Sequence, residues 1–463
     1  MIDTLAVRPS IFVRLFGNRE YYEALLKIAL PVAFQNLIMS SLNMVSMIFI
    51  GQLGETSVAA IALANQVFFL LQLALFGLFS GSAMFTAQLW GRRNLVGIHK
   101  VLGLSLSLGV LVAALFTVIA LVFPEQFLRI YSKDERVIAL GAEFLRTFGP
   151  AYFFITVTFC FASVLRSTGQ VRLPVLVSTG ALVLNTLLSW VLIFGMAGIP
   201  KMGLQGAALA GLIARILECS TLISIIYLQK SPIAASPLQM FGFERSFVGR
   251  VLKSILPVTA QEVAWSLGIT SFNAIYARIG TDAIAAMNIV GTIEQMGMVL
   301  VFALGMGSSV LVGNLIGAEE YAKAYQYAGW TLRLAIAMGL VVGGGLLVFS
   351  PLLLTLYKVN PQVIQYARAV LTILACLVWM RAANTILIVG ILRSGGDTGF
   401  SFFMETGTMW CVGVPLAWMG AFIFGLPVYW VYVLAMMDEL TKFIIGNWRY
   451  YSHRWIHNLA ASV

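Results

Sequence analysis

The sequence predicts an all-α integral membrane protein, with about 12 transmembrane helices in two six-helix lobes that form a parallel internal repeat. Three observations carry this expectation. Sixty per cent of the 463 residues are hydrophobic, only 10% are charged, and the mean hydropathy is +0.92. A soluble chain of this length could not hide so much apolar surface, so lipid must be the solvent for most of it. Apolar runs of about 20 residues or more recur along the chain, each long enough to cross about 30 Å of hydrocarbon as a helix. Finally, the chain repeats itself: Leu30-Pro31-Val32 returns as Leu256-Pro257-Val258, an offset of 226 (257 − 31).

The repeat runs without a gap through Gln35 and Gln261, Ser40 and Ser266, Gly54 and Gly280, Gly81-Ser82 and Gly307-Ser308, and Gly91 and Gly317. One residue of drift later, Leu165-Arg166-Ser167-Thr168-Gly169 recurs as Leu392-Arg393-Ser394-Gly395-Gly396. The apolar runs fall near 24–50, 57–89, 98–123, 137–165, 171–196, 203–228, 249–277, 283–315, 322–348, 362–392, 398–423 and 427–447. The one long polar interruption, about 230–248, divides six spans from six, where a linker between duplicated halves belongs. This gives an N-terminal lobe over 1–229, a cytoplasmic linker over 230–248, and a C-terminal lobe over 249–463 that ends in a basic aromatic tail. Six is even, so both halves point the same way across the membrane, related by a pseudo-twofold along its normal.

The first 22 residues lack the continuous apolar stretch of a cleavable signal and carry Asp3 and Glu20 among three arginines. Ile11–Phe16 reads instead as a short amphipathic segment on the membrane face. The tail from Trp448 through Trp455 suits the headgroup layer. The formal net charge of +10 does not point to nucleic acid, because the charge is placed for topology. Roughly 18 of the 29 Lys and Arg fall on the side that holds both termini and about 7 on the other. Both termini are therefore expected in the cytoplasm, with the chain multi-pass in a cell inner membrane. Cys160, Cys219, Cys376 and Cys411 all lie within expected helices and lack metal-ligand spacing, so they read as reduced packing residues.

Polar residues inside the spans carry the functional signal. Asn36, Ser40 and Asn43 recur at helical spacing in the first helix of one half; Glu262, Ser266 and Asn273 lie close to one face in the other. A polar row in a membrane helix faces another helix or a water-filled cavity. The alternative is a set of interhelical hydrogen bonds that only hold the bundle together. Glu262 is the sharpest single residue, a carboxylate five residues past Pro257 and well inside an apolar span. There it must be protonated, paired or hydrated. It could carry a proton, hold Na⁺ with backbone carbonyls, or act as a structural acid bonded to Gln35 or Gln261.

Glu405 and then Glu294 follow as candidates for ion coupling, with Arg381 a partner for one of the two. Glu218 with Arg215, and Asp438 and Glu439 with Lys442, read as locally paired. Asn65, Gln66 and Asn288 add buried amides, and Trp265 lies one turn from Glu262. Amides and aromatics lining a cavity suit amphipathic or cationic organic compounds, and each alone is equally explained by packing. Leu392 through Thr398 reads as a tight turn in which Arg393 and Asp397 pair and cap helix ends. A Walker A pattern is absent from the sequence, so ATP is not expected as the energy source, and the cofactor expectation is none.

At this point the chain resembles the multidrug and toxic compound extrusion (MATE) family over nearly its whole length. The resemblance rests on the duplication, the twin turns at 165–169 and 392–398, Asn185-x₄-Trp190-x₄-Gly195 and Gly203-x-x-Gly206-Ala207-Ala208. The segments Glu262 through Trp265 to Gly268 and Val389 through Arg393 resemble a bacterial subgroup. The resemblance implies a V-shaped bundle with a central cleft, and export of organic, often cationic, compounds in exchange for H⁺ or Na⁺. Many members carry an acid in the first helix, near Ser46 of this chain, and another in the tenth, near Ala382. Both are missing here, which leaves Glu262, Glu294 and Glu405 as the coupling candidates.

The function expected is multidrug efflux by a monomeric secondary antiporter that rocks one lobe against the other. Its partners are membrane lipid, a small organic substrate and H⁺ or Na⁺. The nearest alternative is a flippase for lipid or lipid-linked saccharide, which would favour a more basic cavity for phosphate. A membrane-embedded enzyme is the remote one, since His99, His453 and His457 all lie at loops or the tail.

Overall fold

The computed structural model describes Leu15 and residues 17–196 and 198–462, and among these every expected apolar run falls on helix, with no strand. The spans are α1 (Arg19–Gly51), α2 (Glu55–Gly91), α3 (Leu95–Val122) and α4 (Glu135–Phe148, continuing as Ala151–Ser167 after a 52° bend). Then come α5 (Arg172–Phe194), α6 (Gly203–Leu228), α7 (Arg245–Ile279), α8 (Thr281–Gly317) and α9 (Tyr321–Thr355). The last three are interrupted. In α10 an α-helix over Pro361–Thr385 turns into a π-helix over Ile386–Arg393. In α11 the order is Thr398–Thr408, a π segment at Met409–Gly413, then Val414–Phe422; α12 is Val428–Ala435 followed by Met437–Tyr451.

Among the described residues eight helices are long and apolar enough to cross a membrane, nine if the two parts of α4 count as one span. The other three are α7, which carries Arg250, Lys253 and Glu262, and the interrupted α11 and α12. The surface matches a lipid solvent: Leu111 and Leu115 on α3 are 67% and 59% exposed, and Val341 on α9 is 76% exposed.

Local chemistry sets the helix ends. Asn94 caps α3 by accepting from Gly97 N at 2.9 Å, Asp134 caps α4 from Arg136 N at 2.9 Å, and Asn360 accepts from Gln362 N beside Pro361 in the first turn of α10. The twin turns of the repeat close identically. Gly169 and Gly396 have φ of +79° and +82°. Gln170 N reaches Leu165 O at 2.9 Å, and Asp397 N reaches Leu392 O at 3.0 Å. Each is the left-handed helix stop that glycine permits.

The chain forms two compact units. Unit A is Pro31–Val263; unit B is the described chain up to Leu30 together with Ala264–Ala461. The sequence repeats meet in the linker at 230–248, whereas contacts divide α1 and α7 internally. In unit A the first part of α7 lies on α2, where a Cβ on Gly77 would sit 2.7 Å from Thr259 Cα and one on Gly81 3.0 Å from Ile255 Cα. In unit B the first part of α1 lies on α8, where a Cβ on Gly307 would sit 2.9 Å from Leu25 and 3.4 Å from Ala29. Through the 226 offset Gly307 is Gly81 and Ala29 is Ile255, so the two packings repeat each other. Tyr21 and Thr331 hydroxyls, 2.9 Å apart, and Lys323 Nζ donating to Glu20 at 2.9 Å fasten the start of α1 within unit B.

Three expectations about the turns, tail and cysteines change. Trp455 is fully buried, because Gly395 has no side chain and the Trp455 backbone fits against it; Trp448 and Tyr451 of the same tail are exposed. Cys376 and Cys411 lie on exposed helix surface, and only Cys160 and Cys219 are buried. Asp397 makes no cap bond at the start of α11; its carboxylate accepts from Arg449 Nε at 2.7 Å. The expected amphipathic stretch Ile11–Phe16 lies outside the described residues except for Leu15.

Candidate functional site

Each unit receives part of the polar set that the sequence singles out. Unit A holds Gln35, Asn36, Ser40 and Asn43 on α1, Asn65 and Gln66 on α2, and Gln261 and Glu262 on α7. Ser40, Asn43, Asn65 and Gln66 are exposed, Gln35 and Asn36 are half-buried, and Gln261 and Glu262 are buried. The continuous helix of α1 keeps Asn36, Ser40 and Asn43 on one face. Unit B holds Trp265, Ser266 and Asn273 on α7, Asn288 and Glu294 on α8, and Glu405 on α11. Trp265, Asn273 and Asn288 are exposed there, while Ser266, Glu294 and Glu405 are half-buried; Asn65, Gln66 and Asn288, expected as buried amides, therefore lie on helix surface instead. Glu262 thus belongs to a different unit from Glu294 and Glu405.

Unit B gathers the charges. Arg381 on α10 forms its ion pair with Glu294 on α8, and its Nε also lies 3.9 Å from Glu439 Oε1 on α12. Asn384, one turn along α10, donates from Nδ2 to Glu439 Oε2 at 2.7 Å and to the Glu439 carbonyl at 2.8 Å. Lys442 Nζ donates to Asp438 Oδ2 at 2.8 Å and to Glu439 Oε1 at 3.3 Å. Arg393 Nη2 lies 3.9 Å from Glu405 Oε2. In unit A, by contrast, Glu218 takes Arg215 on its own helix at 2.6 Å.

Local structure explains why these groups meet. The break at Met436 places Asp438 and Glu439 in the first turn of Met437–Tyr451, where the helix dipole favours acids. Lys442 follows one turn later on the same face. The π segments at Ile386–Arg393 and Met409–Gly413 lie just beyond Asn384 and against Asp438, and such segments are frequent at functional sites. The sequence shows Asp438, Glu439 and Lys442 as a local group. The sequence also offers Arg381 as a partner for Glu294 or Glu405, and the structure selects Glu294; the link from Arg381 and Asn384 on to Glu439 is not visible there, although Arg381 and Asn384 at i and i+3 signal one polar face. Among the described residues no three His, Cys, Asp or Glu are grouped to hold a metal ion.

A duplicated, multi-pass helical bundle with ion pairs buried at mid-span is the architecture of a membrane transporter. The chain belongs to the MATE family: the MatE family model matches residues 31–191 and again 257–419, one match in each half of the repeat. It is similar to the probable multidrug resistance protein YoeA of Bacillus subtilis (strain 168), 26% identical over 415 residues that cover 87% of this chain and 88% of the relative. The probable multidrug resistance protein NorM of Thermotoga maritima is 23% identical over 462 residues, covering 96% of this chain and 97% of the relative. In fold the chain is similar to the outward-facing structure of a multidrug resistance MATE family transporter of the MOP superfamily. The TM-score is 0.85 at 18% identity, over 96% of this chain and 99% of that one.

Proposed function

We propose that the protein is a secondary active antiporter that exports small organic, amphipathic or cationic compounds in exchange for H⁺ or Na⁺ by alternating access. It acts as a monomer in a cell inner membrane with both termini in the cytoplasm. The observation that carries this reading is the buried charge network of unit B. Ionisable side chains at membrane depth are costly and mark ion and proton pathways. Membership of a transporter family and relatives named for multidrug resistance support the same reading.

In this scheme buried Glu262 and half-buried Glu405 and Glu294 are the acids that couple the ion to the conformational cycle. The exposed amides and Trp265 offer hydrogen bonds and an aromatic face to substrate. Moving a two-state equilibrium from 1:99 to 99:1 takes about 5.5 kcal/mol of differential binding, which a carboxyl loaded in one state and empty in the other helps supply.

Purified protein in proteoliposomes tests the reading, with a fluorescent organic cation as substrate and H⁺ and Na⁺ gradients imposed separately. Export should follow one of the gradients, naming the ion, and Glu262→Gln should abolish it in a normally folded protein. Wild type that moves the dye under neither gradient sinks the multidrug reading and brings lipid translocation forward. A variant that exports normally returns Glu262 to a packing role.

A further inference from the structure

The charge network of unit B does not balance. Four carboxyls, Glu294, Glu405, Asp438 and Glu439, meet three cations, Arg381, Arg393 and Lys442. The groups facing it from α7 and from the first part of α12 are the phenols Tyr276 and Tyr432, which add no positive charge. An uncompensated charge in a buried network is unfavourable, which favours a proton on one carboxyl.

Geometry selects which one. Glu294 has Arg381, and Glu405 has Arg393. Glu439 is served by Arg381, Lys442 and the Asn384 amide together. Asp438, 3% exposed, has one ion-pair partner, Lys442, which it shares with Glu439, while Arg381 acts on it only from a greater distance. It is the acid whose negative charge is least supported.

Two further observations favour a proton over Na⁺ as the neutralising ion. The Asp438 carboxyl is packed against the backbone of α11, where a Cβ on Gly413 would lie 2.9 Å from its Cβ and 3.2 Å from its Cγ. A metal cation there would also sit beside the Lys442 ammonium. Moreover, Asn384 Oδ1, an oxygen of the network, has no hydrogen-bond partner among the described residues, and Asn384 is 3% exposed. It is an acceptor that the network leaves for a carboxyl O–H.

We propose that Asp438 is a further proton-carrying carboxyl, in unit B beside the coupling candidates Glu294 and Glu405, and that Lys442 exchanges between Asp438 and Glu439 as the proton arrives and leaves. The protonated acid releases Lys442 to Glu439; loss of the proton to water restores the Asp438–Lys442 pair. This rests on the antiport reading for its use in transport, but the proton itself can be observed without any substrate.

The test is infrared difference spectroscopy of lipid-reconstituted protein between acidic and alkaline buffer, following the carbonyl stretch of protonated carboxyls. Wild type should show a titrating band that is lost in Asp438→Asn and shifted in Asp438→Glu. The Asn variant leaves three acids against three cations, so it retains a balanced network; if it does not fold, the Glu variant decides. A band unchanged in the Asn variant, or in the Glu variant where only that one folds, overturns the proposal. Dye transport in the same vesicles is read separately. Absent transport with a band that depends on Asp438 defeats the antiport reading alone; gradient-driven export that persists undiminished in Asp438→Asn defeats the coupling role proposed here.

Discussion

Arg381 on α10 holds Glu294 on α8 in an ion pair whose side chains are only 22% and 16% exposed. Removing one partner of a buried pair strands the other charge, which destabilises by about 3–5 kcal/mol. Arg381→Met should therefore lower the thermal unfolding temperature in detergent sharply. Arg381→Met with Glu294→Gln should recover much of the loss. Equal damage from the single and double variants would show that the pair matters for packing alone.

The amide of Asn384 makes two donor bonds to Glu439, one to its carboxylate and one to its carbonyl. Asn384→Leu removes both and buries an apolar side chain beside the carboxylate, at about 1–3 kcal/mol for the unmet group. Thermal unfolding should register that loss, whereas the exposed substitution Asn65→Leu should leave stability nearly unchanged.

Gly77 and Gly81 on α2 let the first part of α7 approach as backbone against backbone, with no flexible side chain to move aside at Gly77. Overpacking of this kind costs about 1–3 kcal/mol. Gly77→Val should destabilise more than Gly307→Ala, whose new Cβ meets first the mobile Cδ1 of Leu25. The reverse order, measured by thermal unfolding, would contradict the packing described for α2.

The turn at Gly395 receives the Trp455 carbonyl and ring at distances that leave no room for a Cβ, and His457 N donates to Gly395 O at 2.7 Å. Trp455 is fully buried, and truncating a buried Trp costs about 3–5 kcal/mol. Trp455→Ala should expose the tail to protease, while Trp448→Ala, at an exposed position, should not. Equal protection in both variants would place the tail off the turn.

The spans and the repeat were legible in the sequence because apolar length and matched residues are properties of the chain itself. Packing choices were not. The assignment of the first parts of α1 and α7 to units B and A depends on which surfaces Gly307, Gly77 and Gly81 leave open, and no local pattern carries that information. The π segments at 386–393 and 409–413 share the composition of ordinary helix. At the site, Asp438, Glu439 and Lys442 were readable as a group because i, i+3 and i+4 neighbours meet on any helix. Arg381 was readable as a partner for Glu294 or Glu405, but its choice of Glu294 and the continuation through Arg381 and Asn384 to Glu439 join three distant helices, so only the fold reveals them. Trp455 shows the same limit, since an aromatic in a basic tail is indistinguishable by type from an interfacial anchor.

The measurement that bears most directly on antiport is simultaneous recording of substrate and ion flux in one proteoliposome preparation, with a fluorescent organic cation, an entrapped pH indicator and a Na⁺ indicator. The account predicts that dye moves against its own gradient only while H⁺ or Na⁺ flows the opposite way, and that collapsing that ion gradient stops it. Dye that merely equilibrates down its own gradient, with no opposing ion flow, would contradict it.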